Sequence, residues 1–265
     1  MAEFIDGIIK CWQQYGPSYL EGARNTLIIS LVGTIIGCVI GFAVGVVQTI
    51  PSDKGDPVWK RILLGITKVI LKGYVELFRG TPMIVQSVFI YYGARMVFNI
   101  HMDIWSAAFF IVSINTGAYM AETVRGGILS IDPGQTEGAK SIGMTHLQTM
   151  LYVILPQAFR NIIPQIGNNL IINIKDTSVL SVISVTDLFF THKSVAGALY
   201  LYFESATITM AIYLTLTVTA SALLRLLESK LDGDDNYDLA TTDTLAHTSG
   251  MYTYHPKEKT LEDFK

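Results

Sequence analysis

The chain has 265 residues, of which half are hydrophobic and only 15% are charged. A soluble domain usually carries about 25% charged residues, so this chain has too little charge to cover a water-facing surface, which argues against a soluble enzyme. Its 19 basic and 22 acidic residues create no positive field of the kind that attracts nucleic acid. We therefore expect a membrane protein that binds no nucleic acid.

The amino-terminal segment and the two cysteines indicate neither a cleaved signal nor a metal or redox site. Residues 1–16 hold two acids and one Lys and lack the basic start and apolar run of a secretory signal, so we expect nothing to be cleaved. Cys11 and Cys38 match no disulfide framework, zinc motif or redox motif by their spacing. We expect no metal site.

Apolar segments of membrane-spanning length recur along the chain. A helix rises about 1.5 Å per residue, so about 20 mostly apolar residues cross a hydrocarbon core of about 30 Å. The candidate spans are 26–50, 80–98, 104–121, 162–190 and 205–224. The segment 141–159 also lacks formal charge, but it carries His146, Gln148 and Pro156 and indicates a loop with short helices. We predict an all-α membrane protein with about five transmembrane helices.

The distribution of Lys and Arg predicts the orientation, because cytoplasmic loops carry an excess of both. With five spans and an external amino terminus, the cytoplasmic segments between spans hold Lys54, Lys60, Arg61, Lys68, Lys72, Arg79, Arg125, Lys140 and Arg160. The outer segments hold Lys10, Arg24 and Lys193. We therefore expect residues 1–24 outside, a membrane domain at 25–228, and a carboxyl-terminal cytoplasmic tail at 229–265 whose acidic, polar composition is typical of disorder.

Two further patterns concern packing. The segment 58–78 places Lys68, Lys72 and Glu76 along an otherwise apolar stretch, which predicts an amphipathic helix at the cytoplasmic interface. Alternatively, it simply lengthens the second span.

In the first span a Gly recurs every fourth residue and forms one smooth face. That face favours close helix packing within the chain, with a contact between two chains as the alternative. The glycines are Gly33, Gly37, Gly41 and Gly45.

The segment between the third and fourth spans predicts an exposed helix. Read as one helix, residues 135–150 align small and apolar residues at three- and four-residue steps. The aligned residues are Ala139, Ile142, Gly143, His146, Leu147 and Met150. Such a stripe fits a groove on a partner protein, although a helix folded back on its own membrane ends gives the same periodicity.

In this segment the chain resembles a known family. Glu137-Gly138-Ala139, then Gly143, then Leu155-Pro156 match the spacing of the "EAA loop" of ATP-binding-cassette (ABC) importer permeases, with Gly138 in place of the middle Ala. The stretches ELFRGTP at 76–82, NTGAYMAETVRGGI at 115–128 and KDTS at 175–178 resemble the polar amino acid permeases. The resemblance runs from about residue 25 to residue 225.

The resemblance implies a type I ABC importer (MetI-like) permease fold and a set of partners. Residues 130–157 would form a coupling loop that docks on a separate ATPase dimer. The implied contact residues are Glu137, Gly138, Ala139, Gly143, Leu155 and Pro156. The chain contains no GxxxxGK[ST] phosphate-binding loop, so ATP and Mg would be bound by the ATPase, and the chain would hold no cofactor and no catalytic residue. A second permease chain, identical or paralogous, and an extracytoplasmic amino acid-binding protein would complete the importer.

Polar residues within the spans are the candidates for a substrate path, because charges in a membrane must face protein or water. A free amino acid needs cationic or N–H donors at one end and acidic or carbonyl acceptors at the other. The candidates are Asn115, Thr116, Tyr119, Asn173, Lys175, Asp176, Thr177 and Ser178. Lys175 and Asp176 could instead pair two permease chains or stabilise the bundle, and we expect Glu122 to pair with Arg79 or Arg125.

These observations predict a bacterial inner-membrane permease that moves a polar amino acid into the cytoplasm, powered by ATP hydrolysis in its partner. An ion-gradient-driven secondary transporter or channel that uses Lys175 and Asp176 as a relay is the main alternative. A protein that only anchors an ATPase is another. Both homodimeric and heterodimeric importers are consistent with the resemblance.

Overall fold

The structure is a computed structural model that describes residues 1–52, 55 and 57–231. Within these residues it consists of helices and loops without β-strands, which confirms the all-α prediction. The predicted tail lies outside the described residues from position 232 onward. The α-helices are α1 Ala2–Thr49, α2 Val58–Gly80, α3 Met83–Phe98, α4 Ile104–Leu129, α5 Pro133–Ser141, α6 His146–Thr149, α7 Leu155–Asp176, α8 Leu188–Leu199 and α9 Tyr202–Leu231. A π-helix, Met150–Ile154, joins α6 to α7, and a 3-10 helix, Thr177–Ile183, follows α7.

The centre of the fold is the interface between α1 and α4. The four glycines of the α1 stripe lie, in order, against Val112, Thr116, Met120 and Val124. A Cβ atom added to Gly41 would lie only 2.3 Å from Met120 Cβ, so this face excludes every side chain. Small residues let membrane helices approach closely. The stripe therefore packs within the chain, as predicted, and the matching order shows that α1 and α4 run in the same direction.

Several helices have the length and composition needed to cross a membrane. α1, α4 and α9 do so individually, and the helices between His146 and Leu199 do so as one pair bent by 53°. α3 is apolar but has only 16 residues. The carboxyl-terminal part of α2 packs against α4, where the Tyr74 hydroxyl donates to the Ile114 carbonyl at 2.6 Å. This contact supports the alternative in which α2 lengthens the second span.

The span predicted over 162–190 consists of α7 and the 3-10 helix and is broken before its end, because the chain bends by 53° between Ile183 and Leu188. α7 begins earlier and ends at Asp176, and the following run TSVLSVISVT is rich in Ser, Thr and Val. β-Branched side chains lose rotamer freedom in a helix, and hydroxyls compete for its backbone bonds. The chain turns at Ser184, whose φ is +67°, and α8 starts where the Asp187 carboxylate accepts the Phe190 N–H at 2.9 Å.

Candidate functional site

The first half of the coupling loop ends in a turn that requires glycine. Gly143 has a φ of +83° and donates its N–H to the Lys140 carbonyl at 3.0 Å, while Met144 donates to the Ala139 carbonyl at 3.1 Å. These two bonds form a Schellman motif, which ends a helix at a residue of positive φ. The prediction of one helix over 135–150 is therefore wrong, because Gly143 lies at a helix end and not on a helix face.

The second half of the coupling loop is the start of a long helical run, because α6, the π-helix and α7 follow one another without a gap from His146 to Asp176. The prediction of a loop with short helices over 141–159 is therefore wrong beyond Thr145. α6 begins with a capping box, in which the Thr145 N–H donates to Gln148 Oε1 at 2.8 Å and the Gln148 N–H donates to Thr145 Oγ1 at 3.3 Å. The π-helix ends at Ile154, two residues before Pro156, which has no N–H to donate to the preceding turn. The coupling loop therefore consists of α5, a non-helical break at 142–145 and the first turns of this helical run.

The coupling loop has one face inside the chain and one face outside it. The large apolar side chains of Ile142, Leu147 and Tyr152 are 78%, 67% and 74% exposed. Among the six implied ATPase-contact residues, those exposed are Glu137, Gly138, Gly143 and Pro156. Ala139 and Leu155 are buried and hold the loop against the bundle. Exposed apolar side chains of this kind are typical of a surface that contacts another protein.

Three of the predicted path residues lie inside the chain. Asn173 Nδ2 donates to Thr34 Oγ1 at 2.8 Å and to Thr116 Oγ1 at 2.9 Å, and this cluster joins α7 to α1 and α4. Thr177 is fully buried, and its hydroxyl donates to the Ile174 carbonyl at 3.1 Å. Polar side chains of membrane helices commonly hydrogen-bond across helices in this way. In this structure Thr116, Asn173 and Thr177 therefore contact protein and not an open path.

Asn115 has a similar internal role at the break between α2 and α3. It donates to Gln86 Oε1 at 2.9 Å, and Gln86 Nε2 donates to the carbonyls of Phe78 at 2.9 Å and Thr81 at 2.8 Å. The last carbonyls of a helix lack helical partners, and an unsatisfied carbonyl is costly in a membrane. The two amide side chains thus stabilise the break between the helices α2 and α3 before Pro82.

Lys175 and Asp176 are both exposed, and within the described residues no ion pair joins them. Lys175 and Ser178 line a cavity of about 370 Å³ between the end of α7, α8 and α9. The other lining residues are Phe189, His192, Ala206, Thr209, Met210 and Tyr213. The structure therefore places Lys175 at an apolar cavity with Ser178 and His192.

Tyr119 lies in a charged cluster between α2 and α4. The Arg79 guanidinium lies 5.7 Å from the centre of the Tyr119 ring, and Arg79 Nη1 lies 3.9 Å from Glu122 Oε2. Arg125 Nε donates to the same carboxylate oxygen at 3.1 Å. The prediction that Glu122 pairs with Arg79 or Arg125 is confirmed, since it pairs with both.

A polar line along α7 contains three amides that were not among the predicted path residues. Asn161, Gln165 and Asn168 are all exposed and lie on one side of the helix, and Asp176 continues the line two turns later. Exposed amides in a membrane helix must face water or protein. Reading the amides of this segment at steps of three and four residues would have found the line.

The family of the chain follows from its sequence. Residues 61–233 match the model of the family described as "binding-protein-dependent transport system inner membrane component". The chain belongs to this family. It is 37% identical over 216 residues to the glutamine transport system permease protein of Escherichia coli (strain K12), covering 81% of the chain and 93% of that protein.

Two further likenesses concern an arginine permease and a solved structure. The chain is 35% identical over 162 residues to the arginine transport system permease protein of Bacillus subtilis (strain 168), covering 61% of the chain and 74% of that protein. A solved amino acid ABC transporter with histidines superposes with a TM-score of 0.72 at 36% identity, covering 82% of the chain and 95% of that structure. The chain therefore has the permease fold that the sequence predicts.

Proposed function

We propose that the chain is the membrane-spanning subunit of an ABC importer that moves a polar amino acid into the cytoplasm. The observation that carries this proposal is the coupling loop, whose base is buried in the bundle while Ile142, Leu147 and Tyr152 are exposed at its tip. Family membership and relatives named for glutamine and arginine transport support the class of cargo.

The ATPase is a separate protein in this proposal. The sequence has no phosphate-binding loop of the GxxxxGK[ST] type. In this proposal ATP and Mg therefore bind to a separate ATPase dimer, which docks on the coupling loop. Closure of the ATPase pair pulls on two coupling loops and rocks two permease chains between outward- and inward-open states. An extracytoplasmic binding protein delivers the amino acid.

In this proposal the coupling loop lies in the cytoplasm. α1 and α4 run in the same direction, so the end of α1 and the start of the loop after α4 lie on one side. Thr49 and Pro51 line one cavity with Glu137, Lys140 and His146 of the coupling loop, which supports this arrangement. The excess of Lys and Arg on that side favours the cytoplasm, with the amino terminus outside.

For the cargo path we propose the exposed polar groups rather than the buried ones. The line Asn161, Gln165, Asn168 and Asp176 on α7 offers amide and carboxylate groups, and Tyr119 on α4 offers a hydroxyl. Lys175 adds a cation at the end of the line. A second permease chain facing this surface would enclose the path. The buried Thr116, Asn173 and Thr177 would hold the helices that line the path in position.

The decisive experiment is reconstituted uptake of radiolabelled glutamine, with arginine as a second cargo. The chain is placed in proteoliposomes with its ATPase and binding protein, and we expect uptake that requires internal ATP and persists after a protonophore collapses the proton gradient. Uptake abolished by the protonophore would instead identify a secondary transporter, and the absence of any uptake would support an ATPase anchor.

A docking variant tests the coupling loop directly. Leu147→Ser removes an exposed apolar side chain from the tip, so it should weaken binding of the ATPase while leaving the melting temperature unchanged. Ile70→Ser on α2 is a matched control, because Ile70 is also 65% exposed but lies away from the loop. Equal ATPase affinity for both variants would contradict docking at this tip.

A further inference from the structure

A cavity of about 430 Å³ lies where the end of α1 meets α2 and α4. Its lining combines four basic and two acidic side chains, an excess of two positive charges. The lining residues are Gln48, Lys68, Lys72, Val75, Glu76, Arg79, Glu122 and Arg125. The cavity therefore favours an anionic ligand.

The contacts inside the cavity leave part of this charge uncompensated. Glu122 accepts from Arg125 and lies near Arg79, so one carboxylate serves two cations. Lys68 donates to the carbonyl of Ile50 at the end of α1. Across the described residues, Lys72 makes no ion pair and no side-chain hydrogen bond, although it lines the cavity. Lys72 is the cation most available to a bound anion.

The outer side of α2 indicates where that anion comes from. Its large apolar side chains are more than half exposed within this chain, which is the pattern of a helix that contacts lipid chains. They are Trp59, Ile62, Leu63, Ile66, Val69 and Ile70. On the same helix Lys68, Lys72 and Arg79 line the cavity together with one acid, Glu76, so the helix contributes a net positive charge. Acyl chains and a charged headgroup are thus both accommodated by one helix.

We propose that this cavity binds the phosphodiester headgroup of an anionic phospholipid from the cytoplasmic leaflet, with Lys72 as the main contact. Basic pockets between membrane helices on the cytoplasmic side bind such headgroups through charge complementarity. The cavity lies between α1, α2 and α4 and contains no residue of the polar line of α7, although its Arg79 contacts Tyr119, which we place in the cargo path. It depends on the proposed orientation but not on the transport of any cargo.

The test is lipid retention by the full-length chain, measured by native mass spectrometry with equal amounts of phosphatidylglycerol and phosphatidylcholine. Wild type should retain phosphatidylglycerol preferentially, and Lys72→Gln should reduce that retention several-fold. Arg61→Gln is the matched control, because it makes the same charge change on α2 at an exposed residue outside the cavity. It should leave retention unchanged, and Lys72→Arg should keep it because it keeps the charge.

Three results would overturn the proposal. Wild type could retain both lipids equally, or Lys72→Gln and Arg61→Gln could reduce retention equally, which would indicate general surface charge. Alternatively, Lys72→Gln could abolish binding of radiolabelled glutamine without affecting phosphatidylglycerol, which would assign the cavity to the cargo. Because lipid retention is measured without ATPase or binding protein, its failure leaves the transport proposal intact.

Discussion

The interface between α1 and α4 and the tip of the coupling loop use glycine for opposite reasons. In α1 the glycines are needed because another helix occupies the space where a Cβ would lie, as at Gly41. At Gly143 a Cβ would meet nothing within 4 Å, and the requirement comes from a φ of +83°. The first kind of glycine allows two helices to pack closely, and the second sets the shape of the exposed loop on which we propose that the ATPase docks.

The largest expected effect is at the helix interface. Gly41→Ala places a Cβ 2.3 Å from Met120 Cβ, and such overpacking should lower the free energy of unfolding by about 3 kcal/mol. Gly73→Ala on α2 is the control, because nothing lies within 4 Å of the added Cβ. Thermal unfolding of both variants in detergent measures the difference. Equal melting temperatures would show that α1 and α4 separate easily.

The next effect is at the turn of the coupling loop. Gly143→Val forces a β-branched residue to positive φ, at a cost of about 1–2 kcal/mol, so it should reduce ATP-driven uptake about tenfold or more. The melting temperature of the membrane domain should not change. Gly143→Asn should retain more uptake, because Asn tolerates positive φ better. Full uptake by the Val variant would contradict a role for this turn in coupling.

A smaller effect should separate the buried amides of α7 from the exposed ones. Asn173→Ala leaves Thr34 and Thr116 without their shared partner, which should cost about 1–2 kcal/mol of stability. Asn168→Ala removes an exposed amide and should reduce uptake without changing stability. Unfolding and uptake are measured for both variants. The reverse pattern would place the cargo path at the buried cluster.

The smallest effect is expected at Gly138, where the sequence departs from the family pattern. Gly138→Ala restores a helix former in α5 at a position with nothing within 4 Å of the added Cβ. It should stabilise α5 by about 1 kcal/mol at most and leave uptake within about twofold. Hydrogen exchange of the α5 amides is the measurement. A loss of uptake as large as that of Gly143→Val would show that the ATPase contacts residue 138 too closely for a methyl group.

The helical fold was predictable from the sequence, whereas the break in the helix predicted at 135–150 and the partners of the polar groups were not. Apolar segments of span length and the Gly stripe predict the bundle because they depend on local composition and spacing. The same reasoning grouped Asn173 with Lys175, although the structure buries the first and exposes the second. Residues that are close together on a helix point in different directions, and only the packing of the neighbouring helices decides which side chains are buried.

The sequence by itself determined that the chain is an all-α membrane protein of the importer permease family, because hydrophobicity and motif spacing are properties of the chain alone. The tertiary structure decided that Asn115 bonds to Gln86 beside the break before Pro82, and that Asn173 bonds to Thr34 and Thr116. These outcomes depend on hydrogen bonds and contacts between residues far apart in sequence. No local pattern specifies such contacts until the helices have packed.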